Sequence, residues 1–161
     1  MTLQRHMRVV DHNSESSVLN TGLKIAFATT DMKTVNQHFG SAHSFSLYMV
    51  NPEESTLLEA AQFSKLEQDS DKDKLVEKIS MLEGCAAVYC QAIGSSAIQQ
   101  LVLKGIQPVK VTEGTAIRYL IGFLQNEMRM GPSAWLAKAI AQHKESDMSS
   151  FYEMENDDWD E

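Results

Sequence analysis

Residues 85–90, Cys-Ala-Ala-Val-Tyr-Cys, form a continuous apolar run. A strand with no polar face must be covered on both sides, as a parallel strand inside an α/β sheet is. Residues 24–29, Lys-Ile-Ala-Phe-Ala-Thr, form a second short apolar run of the same kind. Between the two, the pattern differs. Residues 44–51 alternate, with Phe45, Leu47 and Met49 on one face and Ser44, Ser46 and Tyr48 on the other, which predicts a half-buried strand. Asn51-Pro52-Glu53-Glu54 is a turn, and residues 56–63 continue as a third strand, so the pair reads as an antiparallel hairpin.

Past residue 70 the helical period takes over. Residues 71–82 carry Leu75, Ile79 and Leu82 at helical spacing, with Lys and Glu on the other side and Gly84 as C-cap. Gly94-Ser95-Ser96 opens a helix bearing Ile98, Leu101 and Val102, closed by Gly105, and residues 106–111 are the last strand. Residues 115–129 hold Ile117, Leu120, Ile121, Leu124 and Met128 in amphipathic register. After Gly131-Pro132-Ser133, residues 134–143 form a final helix with Trp135, Leu136 and Ile140 inward.

The order strand–strand–strand–helix–strand–helix–strand–helix–helix predicts an α/β fold with one five-stranded mixed sheet flanked by helices. The crossovers from 24–29 to 85–90, and from there to 106–111, are expected to be parallel and right-handed. Ligands gather at the carboxyl edge of such strands, where segments 30–40, 90–96 and 112–115 meet.

Charge divides the chain. Residues 145–161 hold eight acids (Glu145, Asp147, Glu153, Glu155, Asp157, Asp158, Asp160, Glu161) and no Lys or Arg. The rest has 22 − 8 = 14 acids against 14 bases, an even balance. The expected organisation is a flexible N-terminal arm at 1–21, an α/β domain at 22–144 and an acidic tail at 145–161. A nucleic-acid partner is disfavoured, because a basic face is missing. No apolar stretch reaches the roughly 18–20 residues of a membrane span. Two cysteines, Cys85 and Cys90, do not make a disulfide framework, which suits a reducing cytoplasm.

At the carboxyl edge stands Asp31-Met-Lys-Thr-Val35-Asn36-Gln37-His38-Phe39-Gly40. His38 on this loop can ligate a metal, shuttle a proton or simply bond to its own loop. Phe39 can pin the loop to the core, and Gly40 permits a turn that other residues resist. In Tyr89-Cys90-Gln91-Ala92-Ile93-Gly94-Ser95-Ser96 a strand ends and a helix begins. Its free backbone N–H groups and the Ser hydroxyls suit an anion, or Ser95 or Ser96 merely caps the helix. Cys90 can offer a thiolate to iron or fill the core. His43 joins His38 only if the chain folds back after Gly40; otherwise it is an exposed strand-end histidine. No Gly-x-Ser-x-Gly elbow occurs.

Asp31-x-x-x-Val35-x-x-His38-Phe39-Gly40, Gly84-Cys85-Ala86-Ala87-Val88-Tyr89-Cys90 with Gly94 beyond, and Gly105-Ile106-Gln107-Pro108-Val109 together resemble the dinitrogenase iron–molybdenum cofactor-binding family. Gly131-Pro132-Ser133-Ala134-Trp135-Leu136-Ala137-Lys138-Ala139-Ile140 is similar to one branch of it. The resemblance implies a ribonuclease H-like fold and a non-catalytic role in nitrogenase cofactor biosynthesis. Such a protein carries the iron–sulfur precursor made by NifB (NifB-co), or the later iron–molybdenum cofactor, toward a NifEN scaffold. It also implies that His38 is the cluster ligand. Extending the contact set to Phe39, Gly40, Cys90, Gly94, Ser95 and Ser96 is inference from position, and a homodimer around the cargo stays open. With two cysteines and no Cys-x-x-Cys the chain cannot supply an all-cysteine cluster site, which favours release over permanent binding.

Two other readings remain. A ribonuclease H-like phosphodiesterase needs carboxylates converging on metal ions, and only Asp31 and Glu113 are suitably placed. A cluster-free regulatory partner would dock through the acidic tail.

Overall fold

A computed structural model describes residues 22–62 and 71–143. The expectations for the arm at 1–21 and for the tail at 145–161 lie outside the described residues.

The chain forms β1 (Leu23–Ala28), β2 (Thr34–Val35), β3 (Ser44–Val50), β4 (Ser55–Gln62), α1 (Asp71–Met81), β5 (Ala87–Cys90), α2 (Ser95–Leu103), β6 (Gln107–Lys110), β7 (Thr115–Ala116) and α3 (Ile117–Met130). A fourth helix, α4, spans 134–143. Five strands make one mixed sheet in the order β4-β3-β1-β5-β6. The hairpin β3–β4 joins antiparallel to β1, whereas β5 and β6 run parallel to it. The two-residue strands β2 and β7 pair separately, and neither was expected.

Side-chain alternation along β1 builds the two core layers. Ala26 and Ala28 face a layer filled by Phe45, Leu47, Val88, the α1 and α2 residues Ile79, Ala97 and Leu101, and Leu82 just past α1. Ile25 and Phe27 face the opposite layer, with Tyr89 and the α3 and α4 residues Ile117, Leu120, Ile121, Leu124 and Leu136. Phe27 lies stacked on Tyr89 at 5.1 Å and meets Tyr48 edge-on at 5.7 Å.

Several expectations are corrected here. β3 is not half-buried: it lies between β1 and β4, and the α3–α4 layer covers its serine face. Ser46 is therefore buried, its hydroxyl donating to the Met32 sulfur at 3.0 Å, while Met49 is only half-buried. The strand with a solvated face is the edge strand β4. In α2 the buried residues are Ala97 and Leu101, whereas Ile98 and Val102 are exposed. Helix α3 begins at Ile117, because Thr115 and Ala116 are taken by the pairing with β2. Gly84 ends α1 as expected, at φ 88°.

Candidate functional site

The loop leaving β1 is held along its whole length. Asp31 accepts from the backbone N–H groups of Lys33 and Thr34, each at 2.8 Å, and from the hydroxyls of Thr29 and Thr34 at 3.0 Å. These donors, the Lys33 and Thr34 amides foremost, hold its carboxyl down at about 2. Asn36 ties back to Thr30 through two bonds, and its backbone N–H donates to Ala28.

Residues 37–39 then run alongside the segment after β5. Gln91 N–H donates to the Gln37 carbonyl at 2.9 Å, and Phe39 N–H donates to the Ala92 carbonyl at 2.7 Å. His38 thus faces Ala92 in an isolated parallel bridge. Side chains alternate across such a bridge. The Phe39 ring is wholly buried, tilted against Phe45 at 5.8 Å, and the His38 imidazole is exposed. Beyond it, the Lys78 ammonium of α1 donates to the Phe39 carbonyl at 3.1 Å and to the Gly40 carbonyl.

An open cleft of about 380 Å³ lies beside His38, lined by His38, Gly40, Ser41, Ala92, Ile93 and Gly94. That volume lies within the range of about 300–1,000 Å³ typical of small-ligand sites. At Gly94 the cleft meets the N-terminus of α2. Gly94 is the N-cap, with φ −82° and ψ 159° and no side-chain capping bond. The first intrahelical bond runs from Ile98 N–H to the Gly94 carbonyl, so the preceding amides lack helical partners. The site therefore offers one imidazole, a stretch of small and backbone-rich wall, and the amide end of a helix. That set suits a bulky, anionic, metal-bearing guest.

Of the residues singled out in the sequence, the cleft brings together His38, Gly40 and Gly94. Phe39 serves beneath it as the pin. Ser95 and Ser96 are exposed on the first turn of α2, and neither caps the helix. Cys90 does not line the cleft: it is fully buried with its sulfur 3.9 Å from the Val109 carbonyl, and burial pushes its thiol up to about 11. Cys85 is likewise buried and raised to about 11 by desolvation. His43 is exposed, and its backbone N–H donates to the Gln37 side chain at 3.2 Å.

Two expectations need correction. Gly40 does not have a positive φ, and a Cβ built on it meets nothing within 4 Å, so the turn does not require glycine. Lys78 is not on a solvated face: it is 6% exposed and part of the loop's support. Ser41 and Lys78 escaped the sequence reading; a lysine at helical spacing gives no sign that its ammonium ends on a loop 38 residues upstream. Asp31 is occupied as a loop brace and Glu113 is exposed. Among the described residues no three His, Cys, Asp or Glu side chains come together as a metal site. Nor is any helix among them long and apolar enough to cross a membrane.

Comparison with known proteins adds to this geometry. The family described as "Dinitrogenase iron-molybdenum cofactor" matches residues 22–127. The chain is 50% identical to Protein NifX of Azotobacter vinelandii over 157 residues, covering 98% of this chain and 97% of that one. It is 36% identical over 92 residues to the FeMo cofactor biosynthesis protein NifB of Frankia alni, covering 54% of this chain and 18% of that protein. Among solved structures, the crystal structure of PH0822 superposes with a TM-score of 0.53 at 22% identity, covering 70% of this chain and 97% of that one, a likeness of fold.

Proposed function

Since the chain belongs to the dinitrogenase iron–molybdenum cofactor family, we propose that it serves iron–molybdenum cofactor biosynthesis as a carrier. It takes up a preformed iron–sulfur cluster, either the NifB-co precursor or the finished cofactor, and releases it to a NifEN-type scaffold, performing no chemistry on it. The observation that carries this reading is the exposed His38 imidazole on a braced loop at the rim of an open cleft.

His38 supplies the bond to a cluster metal, in the neutral form that ligates. The Gly40–Ser41 and Ala92–Gly94 walls lie close around the cargo, and the amide end of α2 faces its sulfide charge. A single strong protein ligand permits transfer, whereas a full cysteine set holds a cluster permanently. Cys90 supports the site by packing; its thiol is too enclosed and too firmly protonated to compete. The likeness of part of the chain to NifB supports a supplier from the same assembly system. The carrier works in the cytoplasm, without nucleic acid or membrane. The organisation is an arm at 1–21, the cofactor-binding domain at 22–144 and an acidic tail at 145–161. The sheet order β4-β3-β1-β5-β6, with three antiparallel-linked strands followed by two parallel crossovers, supports a ribonuclease H-like topology.

Anaerobic mixing of the apo-protein with isolated NifB-co, followed by gel filtration, tests the assignment. Wild type should elute with the brown chromophore and His38→Ala should lose it, with the elution volume reporting whether a loaded dimer forms. Equal retention by both proteins would refute the ligand role.

A further inference from the structure

We infer that Lys78 is the positioning residue of the cleft: its ammonium fixes the two peptide planes that follow His38. The inference rests on the carrier reading for its binding consequence, though not for its structural one.

Lys78 reaches from α1 across the layer between helices and sheet and ends on two consecutive carbonyls, those of Phe39 and Gly40. A buried ammonium is costly unless its donors are satisfied, so its position and the orientation of those carbonyls require each other. Directing the Phe39 carbonyl at α1 sets the plane of the 39–40 peptide, and directing the Gly40 carbonyl there sets that of 40–41. Those planes form the wall of the cleft at Gly40 and Ser41.

Around His38 itself, the bonds from Gln91 N–H to the Gln37 carbonyl and from Phe39 N–H to the Ala92 carbonyl fix the chain to the segment after β5. Backbone pairing thus holds the peptides on both sides of His38, and Lys78 holds the next two, 39–40 and 40–41. The β5 clamp is ordinary strand pairing. The Lys78 clamp is a side chain on a different helix, so it couples the packing of α1 to the shape of the wall. Gly40 itself gives the wall no steric definition, because it carries no side chain and a Cβ there would meet nothing. The turn's own bond, from Ala42 N–H to the Phe39 carbonyl at 3.3 Å, holds one end of the wall, and the ammonium on its long lysine stem adds a hold from outside the turn at both carbonyls.

Lys78→Met keeps the stem and removes the donors. Two readouts separate positioning from general stability. The first is amide hydrogen exchange of Phe39 in the apo-protein, expressed as a ratio to exchange of Val88 in the centre of the sheet. Release of the Phe39 and Gly40 carbonyls should loosen the segment whose Phe39 N–H is bonded to the Ala92 carbonyl, and so speed Phe39 exchange by roughly tenfold or more relative to Val88. The control Leu124→Ala, a truncation in the opposite layer, should accelerate both alike and leave the ratio unchanged. The second is uptake of isolated iron–molybdenum cofactor, which should weaken in Lys78→Met and persist in Leu124→Ala. If Lys78→Met does not fold, Lys78→Gln is read in the same way. An unchanged Phe39:Val88 ratio overturns the inference. Wild type that takes up no cofactor overturns the carrier reading instead, and the exchange ratio still decides the role of Lys78.

Discussion

Replacing two glycines by alanine should move stability in opposite directions, and the sign at each follows from backbone geometry alone. Gly40 sits beside the candidate ligand, yet it does not have a positive φ and an added Cβ meets no heavy atom within 4 Å. Alanine at such a position mainly restricts the unfolded chain, which stabilises by about 0.4–1 kcal/mol. Gly84, at the end of α1, has the same open space but a φ of 88°. There an L-residue incurs left-handed strain of about 1–2 kcal/mol. The two variants should therefore differ by roughly 1.5–3 kcal/mol, Gly40→Ala being the more stable. At about 2–4 °C per kcal/mol for a chain of this size, Gly40→Ala melts a few degrees above wild type and Gly84→Ala a few degrees below. Urea denaturation followed by far-UV circular dichroism, with thermal melts alongside, measures both. If Gly40→Ala loses more than about 1 kcal/mol, the turn does need glycine and the loop geometry described above is wrong.

Three further outcomes are expected. Phe39→Ala removes a wholly buried ring packed on Phe45, and should cost about 3–5 kcal/mol in urea titrations; a cost below about 1 kcal/mol would mean that the loop is not pinned by that ring. Cys85 and Cys90 ordinarily titrate near 9 and are raised to about 11 by burial, so above about pH 9 the unfolded chain gives up protons that the native state keeps. Stability should then fall between about pH 9 and 11 by up to roughly 2–3 kcal/mol per thiol, a loss that Cys85→Ala/Cys90→Ala removes in pH-dependent denaturation. Asp31 is shifted the other way: its bracing of residues 33 and 34 is complete above its ordinary range near 4 and disappears as pH falls through about 2. Asp31→Ala should accordingly accelerate amide exchange at Lys33 and Thr34 at neutral pH, and unchanged protection there would contradict the bonds assigned to its carboxylate.

The pattern of the chain determined the five strands of the main sheet and the helices, because each depends on the period of apolar residues over one short window, and their order along the chain gave the parallel crossovers. Continuous apolar runs at 24–29 and 85–90 fit strands covered on both faces, and they contain most of β1 and all of β5, side by side and parallel. The position of His38 at the carboxyl edge was also legible, since its loop directly follows a central strand. Contacts between distant segments were not legible. The burial of Ser46 follows from β3 lying second in the sheet beneath α3 and α4, and strand order is not encoded in local alternation. The pairing of β2 with β7 joins residues about 80 apart through only two residue pairs, too few to leave a pattern. Cys90 and Lys78 show the same division. At the end of a strand a thiol can face the cleft or the core, and on a helix a lysine can face water or a neighbouring loop. Which face is buried is decided only when the layers assemble, because desolvation and hydrogen-bond partners belong to the packed structure rather than to either segment.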